Sequence, residues 1–468
     1  MAYSRPAAII ALVGAALCLA QIACAAVSYD PERGIVMVVD YPEEHPATLD
    51  DVLRADQEGA WGVVEYGEGD RRWRVLADLW IGDDTGRCTF FQIGEPGQPR
   101  ATVLMKGNIW VRPPCESPPR SDGRNRIINQ LTLGHPTDAS ACATIRFDCE
   151  TPGQHGLYVG YRSADSGSTV HRGALRIYNS TLTAATPDKE HAWGLRAYTQ
   201  QRAPMRWTSP GWYASHLDLV NATISWFQGC VAYGVATGTR LRGHEGVLPR
   251  PGFRVHGCTF AHGGIALQNG DQYATDTVFE DLQVAVAEGG CLGAKLVRCT
   301  FTHNKQNWTL GSLFGRGIEM LDCRVGAQSH PFAMRPNRAA PKDLVRQGAP
   351  QYPSCELQRT CVLCVMDVEG KPVSGAFAVA TCKQRPSLSA GKATVTGLDG
   401  LTPSDERDGA LVLPQTVYTA TDQPDRPEQA RLDWTIAVTA RGFTPETVSL
   451  PSSLSLDGPL LVTLKGQK

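Results

Sequence analysis

An eight-residue phrase that recurs between residues 175 and 325 constrains the fold more than any other feature of this chain. It occurs six times, as LRIYNSTL from Leu175, LDLVNATI from Leu217, FRVHGCTF from Phe253, QYATDTVF from Gln272, AKLVRCTF from Ala294 and IEMLDCRV from Ile318. The last three intervals between phrase starts are 19, 22 and 24 residues. Each phrase therefore marks one pass of a repeating structure.

The positions of the phrase have characteristic side chains. The sixth position is always small and the eighth is always large and apolar, while the first and third are mostly apolar. The other four positions are mixed or polar. Such alternation is typical of short strands with one buried face. Its recurrence predicts that equivalent strands stack about 4.8 Å apart and bury their apolar faces in a shared interior.

The composition agrees with a turn-rich β protein. The chain of 468 residues contains 47 glycines and 31 prolines, which favours many turns between short strands. No segment keeps a 3.6-residue apolar period long enough for paired helices, so a helical repeat is disfavoured. The 45 basic and 47 acidic residues give a net charge of −2, which offers no electrostatic reason to expect nucleic acid as a partner.

The stacked strands and their glycine-rich corners, such as Gly263-Gly264 and Gly289-Gly290, resemble the right-handed parallel β-helix family of pectin and pectate lyases. The resemblance implies an all-β fold with a right-handed parallel β-helix solenoid over residues 141–327. Residues 27–140 would then form the N-terminal cap and the first turns of the β-helix. This segment contains a predicted capped helix that starts at Thr48, and strand-like runs at 62–66, 73–81 and 101–111.

The C-terminal part reads as a separate module. The repeat stops in a proline-rich stretch, residues 328–354, which we interpret as a linker. Residues 355–468 then open with a strand and the pattern D-x-x-G-x-P-V-x-G-A from Asp367, and a G-F-x-P phrase follows at Gly442. These motifs resemble the carboxypeptidase regulatory-like β-sandwich, which implies a small Ig/transthyretin-like domain without catalytic activity.

The N-terminus predicts export. Residues 1–26 combine Arg5, an apolar run and the small residues Ala23-Cys24-Ala25, as in a cleavable signal peptide. The run is short for a membrane span, and no later stretch is long and apolar enough for one. We expect a secreted or cell-surface location, extracellular or periplasmic, and lipidation of Cys24 stays open. Cys18 and Cys24 fall within the signal, which leaves 13 of the 15 cysteines, an odd number.

The candidate catalytic residues lie two positions after the large apolar eighth residue of the phrase. The residues at this position in successive phrases form a column. Adjacent passes would place His262, Asp281 and His303 side by side. A carboxylate between two imidazoles can hold one ring as a general base or bind a metal ion. The alternative is a ladder of turn residues that satisfy one another, and the strand parity leaves open whether they point inward.

Lys295 and Arg298 form a second candidate pair. Uronic-acid lyases with the β-helix fold need a base and a group that neutralises the sugar carboxylate. Lys295 has the right chemistry for the catalytic base, and Arg298 for a substrate-binding residue. The alternative is that both are solvated charges on an outer face. No cofactor is evident, although a divalent cation such as calcium would fit the neutralising role.

Aromatic residues between 185 and 215 are the candidate sugar-binding side chains. Trp193, Trp207 and Trp212 could stack on sugar faces, or they could form a small core within their own segment. Among the C-terminal cysteines, a four-thiolate zinc site would use Cys355, Cys361, Cys364 and Cys382. Their irregular spacing and the expected oxidising compartment favour a disulfide instead.

The sequence leads to one functional hypothesis and one alternative. The signature phrases of polygalacturonases, pectate lyases and alginate epimerases are absent, so no known activity of the fold transfers residue by residue. We expect an exported β-helix protein that binds a polysaccharide or cell-surface glycan, with lyase or glycoside hydrolase chemistry if it is an enzyme. The alternative is a non-catalytic cell-surface or matrix protein with a structural or adhesive role. The sequence does not indicate an oligomeric state.

Overall fold

The computed structural model divides the chain into two compact units, residues 1–222 with 238–240 and residues 223–237 with 241–468. Of the predicted export signal only Ala26 is described. The residues that the structure describes are 26–67, 71–82, 88–111, 129–149, 155–159, 161–162, 170–171, 173–184, 212–227, 232–233, 253–268, 272–288, 294–310, 317–326, 332–338, 340–347, 350–424, 426–451 and 458–467.

Most of the regular secondary structure in the described part of the first unit is β-strand. Its helix is α1 (Leu49–Gly59). Its strands are β1 (Ala26–Asp30), β2 (Ile35–Val39), β3 (Val64–Gly67), β4 (Arg72–Val75), β5 (Asp78–Ile81), β6 (Phe90–Ile93), β7 (Ala101–Met105), β8 (Ile109–Val111), β9 (Gln130–Leu133), β10 (Ala143–Phe147), β11 (Leu157–Val159), β12 (Tyr161–Arg162), β13 (Val170–His171), β14 (Gly173–Tyr178), β15 (Thr181–Ala184) and β16 (Trp212–Val220).

Three parallel arrays dominate this unit. Their orders are β2-β5-β8-β11, β4-β7-β10-β15 and β6-β9-β14-β16, and β1 and β3 add antiparallel strands to the first two. In the first array Val36, Leu79, Ile109 and Leu157 are aligned and fully buried. In the third array Leu175 pairs with Leu217, as the repeated phrase predicted. Equivalent strands therefore stack in register around a buried apolar interior.

The predicted capped helix is confirmed as α1. Thr48 is its N-cap: its hydroxyl accepts from the Asp51 amide, and the Asp51 carboxylate accepts from the Thr48 amide in return. This reciprocal capping box satisfies two amides that the first helical turn leaves without partners. The helix ends at Ala60, whose φ of 52° is left-handed.

The second unit contains the remaining strands and α2 (Pro341–Gln347). Its strands are β17 (Thr223–Ser225), β18 (Ala232–Tyr233), β19 (Phe253–His256), β20 (Thr259–Ala261), β21 (Ile265–Gln268), β22 (Gln272–Thr275), β23 (Val278–Glu280), β24 (Val284–Glu288), β25 (Ala294–Val297), β26 (Thr300–Thr302), β27 (Gln306–Leu310), β28 (Gly317–Leu321), β29 (Arg324–Val325), β30 (Phe332–Met334), β31 (Ser354–Cys361), β32 (Leu363–Asp367), β33 (Phe377–Cys382), β34 (Ala393–Val395), β35 (Leu411–Thr419), β36 (Glu428–Arg431), β37 (Trp434–Thr439), β38 (Phe443–Thr444), β39 (Glu446–Leu450) and β40 (Leu460–Gly466).

Parallel pairing in this unit again follows the phrase. The arrays are β17-β20-β23-β26-β29, β19-β22-β25-β28-β31 and β21-β24-β27-β30. Gln272 pairs with Ala294, and Ala294 pairs with Ile318, so the predicted register is confirmed. The chain is thus all-β with long parallel sheets.

The columns of the phrase are buried as predicted. The small sixth-position residues are at most 6% exposed, and the large eighth-position residues from Leu182 to Phe301 are at most 2% exposed. Val325 is the exception, at 37%, because its strand β29 is the last of its array. Phe279 stacks between Phe260 and Phe301, with ring centroids 5.6 and 4.9 Å apart.

The sixth position has a second role that the sequence analysis did not foresee. Where this residue is Ser, Thr or Cys, its hydroxyl or thiol donates to the carbonyl two residues earlier, for example from Ser180 Oγ to Tyr178 O at 2.7 Å and from Thr277 Oγ1 to Thr275 O at 2.9 Å. The intervening fifth residue is left-handed in all six phrases, with φ between 49° and 62°. The small polar side chain therefore satisfies a carbonyl at a sharp corner of the backbone.

The C-terminal residues form two further sheets, in the orders β32-β40-β38 and β34-β33-β37-β39. The core between them includes Leu363, Ala378, Trp434, Ile436 and Leu464. Strand β31 pairs in parallel with β28 and antiparallel with β35, so the parallel array continues into residues 354–361. The stretch that we interpreted as a linker contributes β30 and α2.

The expected C-terminal disulfide is not formed. Cys355, Cys361, Cys364 and Cys382 are free thiols. Cys361 and Cys382 pack in the core between the C-terminal sheets, and Cys355 continues the buried face of the parallel array next to Ile318. These three thiols thus fill small apolar positions on their strands. In the part of the chain that the structure describes, no helix is long and apolar enough to cross a membrane.

Candidate functional site

The candidate site lies at the corners that follow β17, β20, β23 and β26. Trp226, His262, Asp281 and His303 occupy these corners, with φ values of 66°, 53°, 51° and 54°. We call these four residues the corner column. The left-handed conformation costs a residue with a Cβ roughly 1–2 kcal/mol, whereas glycine adopts it without this steric cost. One aromatic and three titratable side chains instead occupy these left-handed positions, which is a pattern associated with functional sites.

Strand register aligns the corner column. Ala261 pairs with Glu280, and Glu280 pairs with Thr302, so the next residues of the three strands lie side by side. Backbone hydrogen bonds hold the corners together, from His262 N to Glu280 O at 3.0 Å and from Asp281 N to Thr302 O at 3.1 Å. The parallel sheet therefore fixes the spacing of the column.

Asp281 stands between the two histidines. Its Oδ2 lies 3.2 Å from His262 Nδ1, and its Oδ1 lies 3.9 Å from His303 Nδ1. The side chains of His262, Asp281 and His303 are 39%, 42% and 57% exposed. The three residues thus point outward, which resolves the orientation that strand parity left open.

Trp226 extends the column by an aromatic ring. Its indole stacks on the His262 imidazole, with ring centroids 4.6 Å apart and planes inclined by 20°. Trp226 stands in the same position of the repeat as the three predicted residues, but no role was predicted for it. An aromatic ring, an imidazole, a carboxylate and a second imidazole thus follow one another at the ends of successive strands.

The contact between Asp281 and His262 favours one of the two neutral tautomers of the imidazole. A carboxylate next to Nδ1 favours the tautomer with the proton on Nδ1, which leaves Nε2 of a neutral imidazole as a base or hydrogen-bond acceptor. Asp281 can do this for His262 at 3.2 Å. Among the described residues no group of three or more His, Cys, Asp or Glu side chains is arranged to hold a metal ion.

Lys295 and Arg298 do not belong to the corner column. Lys295 lies on β25 in a different sheet, is 13% exposed, and its Nζ lies 2.6 Å from Glu406 Oε2. Nζ also lies 4.0 Å from Glu319 Oε2. Burial and the carboxylates of Glu356 and Glu406 raise the pKa of Glu319, while Lys295 opposes the shift. The amine is thus committed to carboxylates of its own chain.

Arg298 is likewise paired. Its Nε and Nη2 donate to Asp276 Oδ1 and Oδ2 at 2.6 and 2.8 Å. This bidentate pair lowers the pKa of Asp276, and His256 adds to the shift. Arg298 precedes β26 and His303 follows it, so the two side chains lie at opposite ends of one short strand.

Of the three tryptophans predicted to bind sugar, the structure describes one. Trp193 and Trp207 lie outside the described residues. Trp212 is the first residue of β16 in the first unit. Of the predicted site residues, the structure therefore brings together His262, Asp281 and His303, and adds Trp226 to them.

No protein-family model, curated protein or solved structure matches the chain. The all-β class and the long parallel sheets therefore rest on the strand pairing described above.

Proposed function

We propose that the chain is an exported right-handed parallel β-helix protein that binds a polysaccharide or cell-surface glycan along the corner column. A C-terminal β-sandwich of the carboxypeptidase regulatory-like type would follow the β-helix. The repeated phrase, the parallel arrays and the glycine-rich corners support the β-helix. The two C-terminal sheets and the D-x-x-G-x-P-V-x-G-A pattern support the sandwich.

The observation that carries the proposal is the composition of the corner column. Sugar rings present apolar C–H faces and a rim of hydroxyl groups, so a binding site needs an aromatic face next to hydrogen-bonding groups. Trp226 supplies the face, and Asp281 and the two histidines supply acceptors and donors within the next passes. Because neighbouring strands are about 4.8 Å apart, a glycan lying across the strands meets one polar side chain at each pass.

Catalysis is a second candidate function, favoured by the 3.2 Å contact between His262 and Asp281. In a lyase reaction, His262 Nε2 would take the proton next to a sugar carboxylate. The electron pair then forms a carbon–carbon double bond, the bond from the neighbouring carbon to the glycosidic oxygen breaks, and the departing oxygen takes a proton from water or back from His262 to become a hydroxyl group. The His303 imidazole, on the other side of Asp281, would donate a hydrogen bond to the sugar carboxylate. Lys295 is a weaker choice of base, because it is held by Glu406.

The test of binding uses residues 27–468 and a panel of uronic-acid and neutral polysaccharides in affinity electrophoresis. We expect retardation by at least one polysaccharide, and a loss of about tenfold in affinity for Trp226→Ala. Phe377→Ala removes an exposed aromatic side chain from the C-terminal sheet and is the matched control. Retardation that survives both Trp226→Ala and His262→Ala would contradict the proposed site.

Reducing-end release on the same panel separates binding from cleavage. Release that disappears in His262→Ala and persists in His256→Ala would identify an enzyme, since His256 is a comparably exposed histidine at another corner. Binding without release leaves a glycan-binding protein. Folded protein that neither binds nor cleaves any polysaccharide supports the structural or adhesive alternative.

A further inference from the structure

We infer that Cys299 and Cys323 are a disulfide-forming pair that joins two successive strands inside the parallel array. Their positions are in register: Val297 pairs with Leu321 before them, and Thr300 pairs with Arg324 after them. The Cys299 amide donates to Cys323 Sγ at 3.4 Å. Both are free thiols in this structure, and neither is more than 6% exposed.

The backbone geometry suits a disulfide. Neighbouring strands are about 4.8 Å apart, and disulfides join Cα atoms about 4.4–6.8 Å apart. Both side chains point into the same interior column, because both occupy the sixth position of the phrase. A rotation about the side-chain bonds would therefore bring the two sulfur atoms together without a change of strand register.

A third cysteine of the same column, Cys258, lies too far away to form this disulfide. Thr277 lies between Cys258 and Cys299 in the order of the strands. The sulfur of Cys258 is thus two passes away from Cys299, about 9–10 Å, which exceeds the reach of a disulfide. In this column the geometry selects a single pair.

The chemistry is thiol–disulfide exchange with a donor disulfide, from a small molecule or from a thiol oxidoreductase. The first cysteine, as its thiolate, attacks a donor sulfur, so that a mixed disulfide forms and one donor thiol leaves. The second cysteine then attacks the first and releases the other donor thiol. Two protons leave the cysteines, and the donor disulfide takes up the two electrons.

Burial determines when the bond forms. The side-chain hydrogen bond between the two thiols and burial in the interior raise the pKa of Cys323, although the Cys299 amide opposes the shift, so the reactive thiolate is scarce in the folded protein. Thiol–disulfide exchange must therefore take place during folding in an oxidising compartment, before strand pairing buries the two cysteines. Once formed, the same burial shields the bond from reductants.

The test is expression of the full chain with export into an oxidising periplasm, followed by unfolding, alkylation of free thiols and peptide mass spectrometry. We expect a cross-linked peptide that contains Cys299 and Cys323, with a mass about 2 Da below the sum of its two parts. Protein from a reducing cytosol should yield both cysteines alkylated. The oxidised form should melt about 5 °C or more above the reduced form, because the cross-link restricts the unfolded chain.

Serine variants provide the controls, since serine fills the same position at residue 180. Cys323→Ser should leave Cys299 alkylated, and Cys258→Ser should leave the cross-linked peptide unchanged. The inference is wrong if the exported wild-type protein has both cysteines alkylated, or if either one is cross-linked to a different cysteine. The inference shares the export step with the proposed function, but this test needs no glycan, so its outcome is independent of the proposed glycan binding.

Discussion

Asp281 Oδ2 lies 3.2 Å from His262 Nδ1, on two passes of the chain that are aligned by parallel pairing. The contact exists because both residues stand at the same left-handed corner of consecutive repeats. Any side chains at that position are brought together by the strand register alone. The fold thus fixes the spacing of the column, and the residue types at the corners determine which chemical groups lie next to one another.

Removal of the central ring of the phenylalanine stack should destabilise the protein strongly. Phe279→Ala deletes a fully buried side chain between Phe260 and Phe301. We expect a loss of about 4 kcal/mol in the free energy of unfolding, measured by chemical denaturation with far-UV circular dichroism. Phe377→Ala, at a side chain that is 46% exposed, should cost about 1 kcal/mol or less. Equal losses would contradict the stacked core.

The corner hydrogen bonds predict a difference between two substitutions of Ser180. Its hydroxyl donates to Tyr178 O and accepts from the Ala143 amide at 2.9 Å in a buried position. Ser180→Ala leaves both backbone groups without this partner and should cost about 2 kcal/mol of unfolding free energy. Ser180→Cys keeps a donor, as the cysteines of the column do, and should cost less. A cysteine variant no more stable than the alanine variant would refute this role.

The left-handed corners predict a preference for glycine over branched residues. Asn221 has a φ of 51° and donates to Asn179 Oδ1 at 3.0 Å. Both Asn221→Gly and Asn221→Val lose this hydrogen bond, but only valine suffers the steric cost of the left-handed conformation. We expect the valine variant to be about 1–2 kcal/mol less stable than the glycine variant in chemical denaturation. The reverse order would show that the corner is not left-handed.

The ion pair of Asp276 and Arg298 predicts a pH-dependent contribution to stability. Because Arg298 lowers the pKa of Asp276 in the folded state, the contribution is present above the unfolded carboxyl pKa of about 3.9. It is lost as the pH falls through the lower, folded pKa. Arg298→Met should therefore cost up to about 1 kcal/mol at pH 7, since both side chains are partly exposed, and less near pH 2.5.

A double-mutant comparison isolates this pair. In an Asp276→Asn background, Arg298→Met should change the unfolding free energy little at either pH. A cost of Arg298→Met that is the same at pH 7 and pH 2.5 would assign its effect to packing rather than to the carboxylate.

The sequence predicted the stacking of strands better than their corners. The alternation of small sixth-position and large eighth-position residues was enough to align Gln272, Ala294 and Ile318. Only one register of the strands buries both sets of residues. The left-handed corners were not recognised, since Trp, His and Arg rarely adopt that conformation and glycine is the usual signal. The stacking of Trp226 on His262 could have been expected from its place in the column.

Other features were missed for identifiable reasons. CELQRTCV from Cys355 has a small sixth and an apolar eighth residue and lies in register with Ile318, but it follows the last phrase by 37 residues. In the first unit, Phe91 and Leu131 are in register with Leu175, although their segments turn at Gly94 and Gly134 instead of repeating the full phrase. The pairing of Lys295 with Glu406 joins positions 111 residues apart, and no local pattern predicts such a contact.

The most direct test of the account is carbene footprinting of residues 27–468 with and without a polysaccharide fragment that the protein retards in electrophoresis. We predict that bound glycan protects Trp226, His262 and His303 from labelling, while His256, at a different corner, is labelled equally in both states. Unchanged labelling of the corner column, together with protection elsewhere, would contradict the proposed binding site.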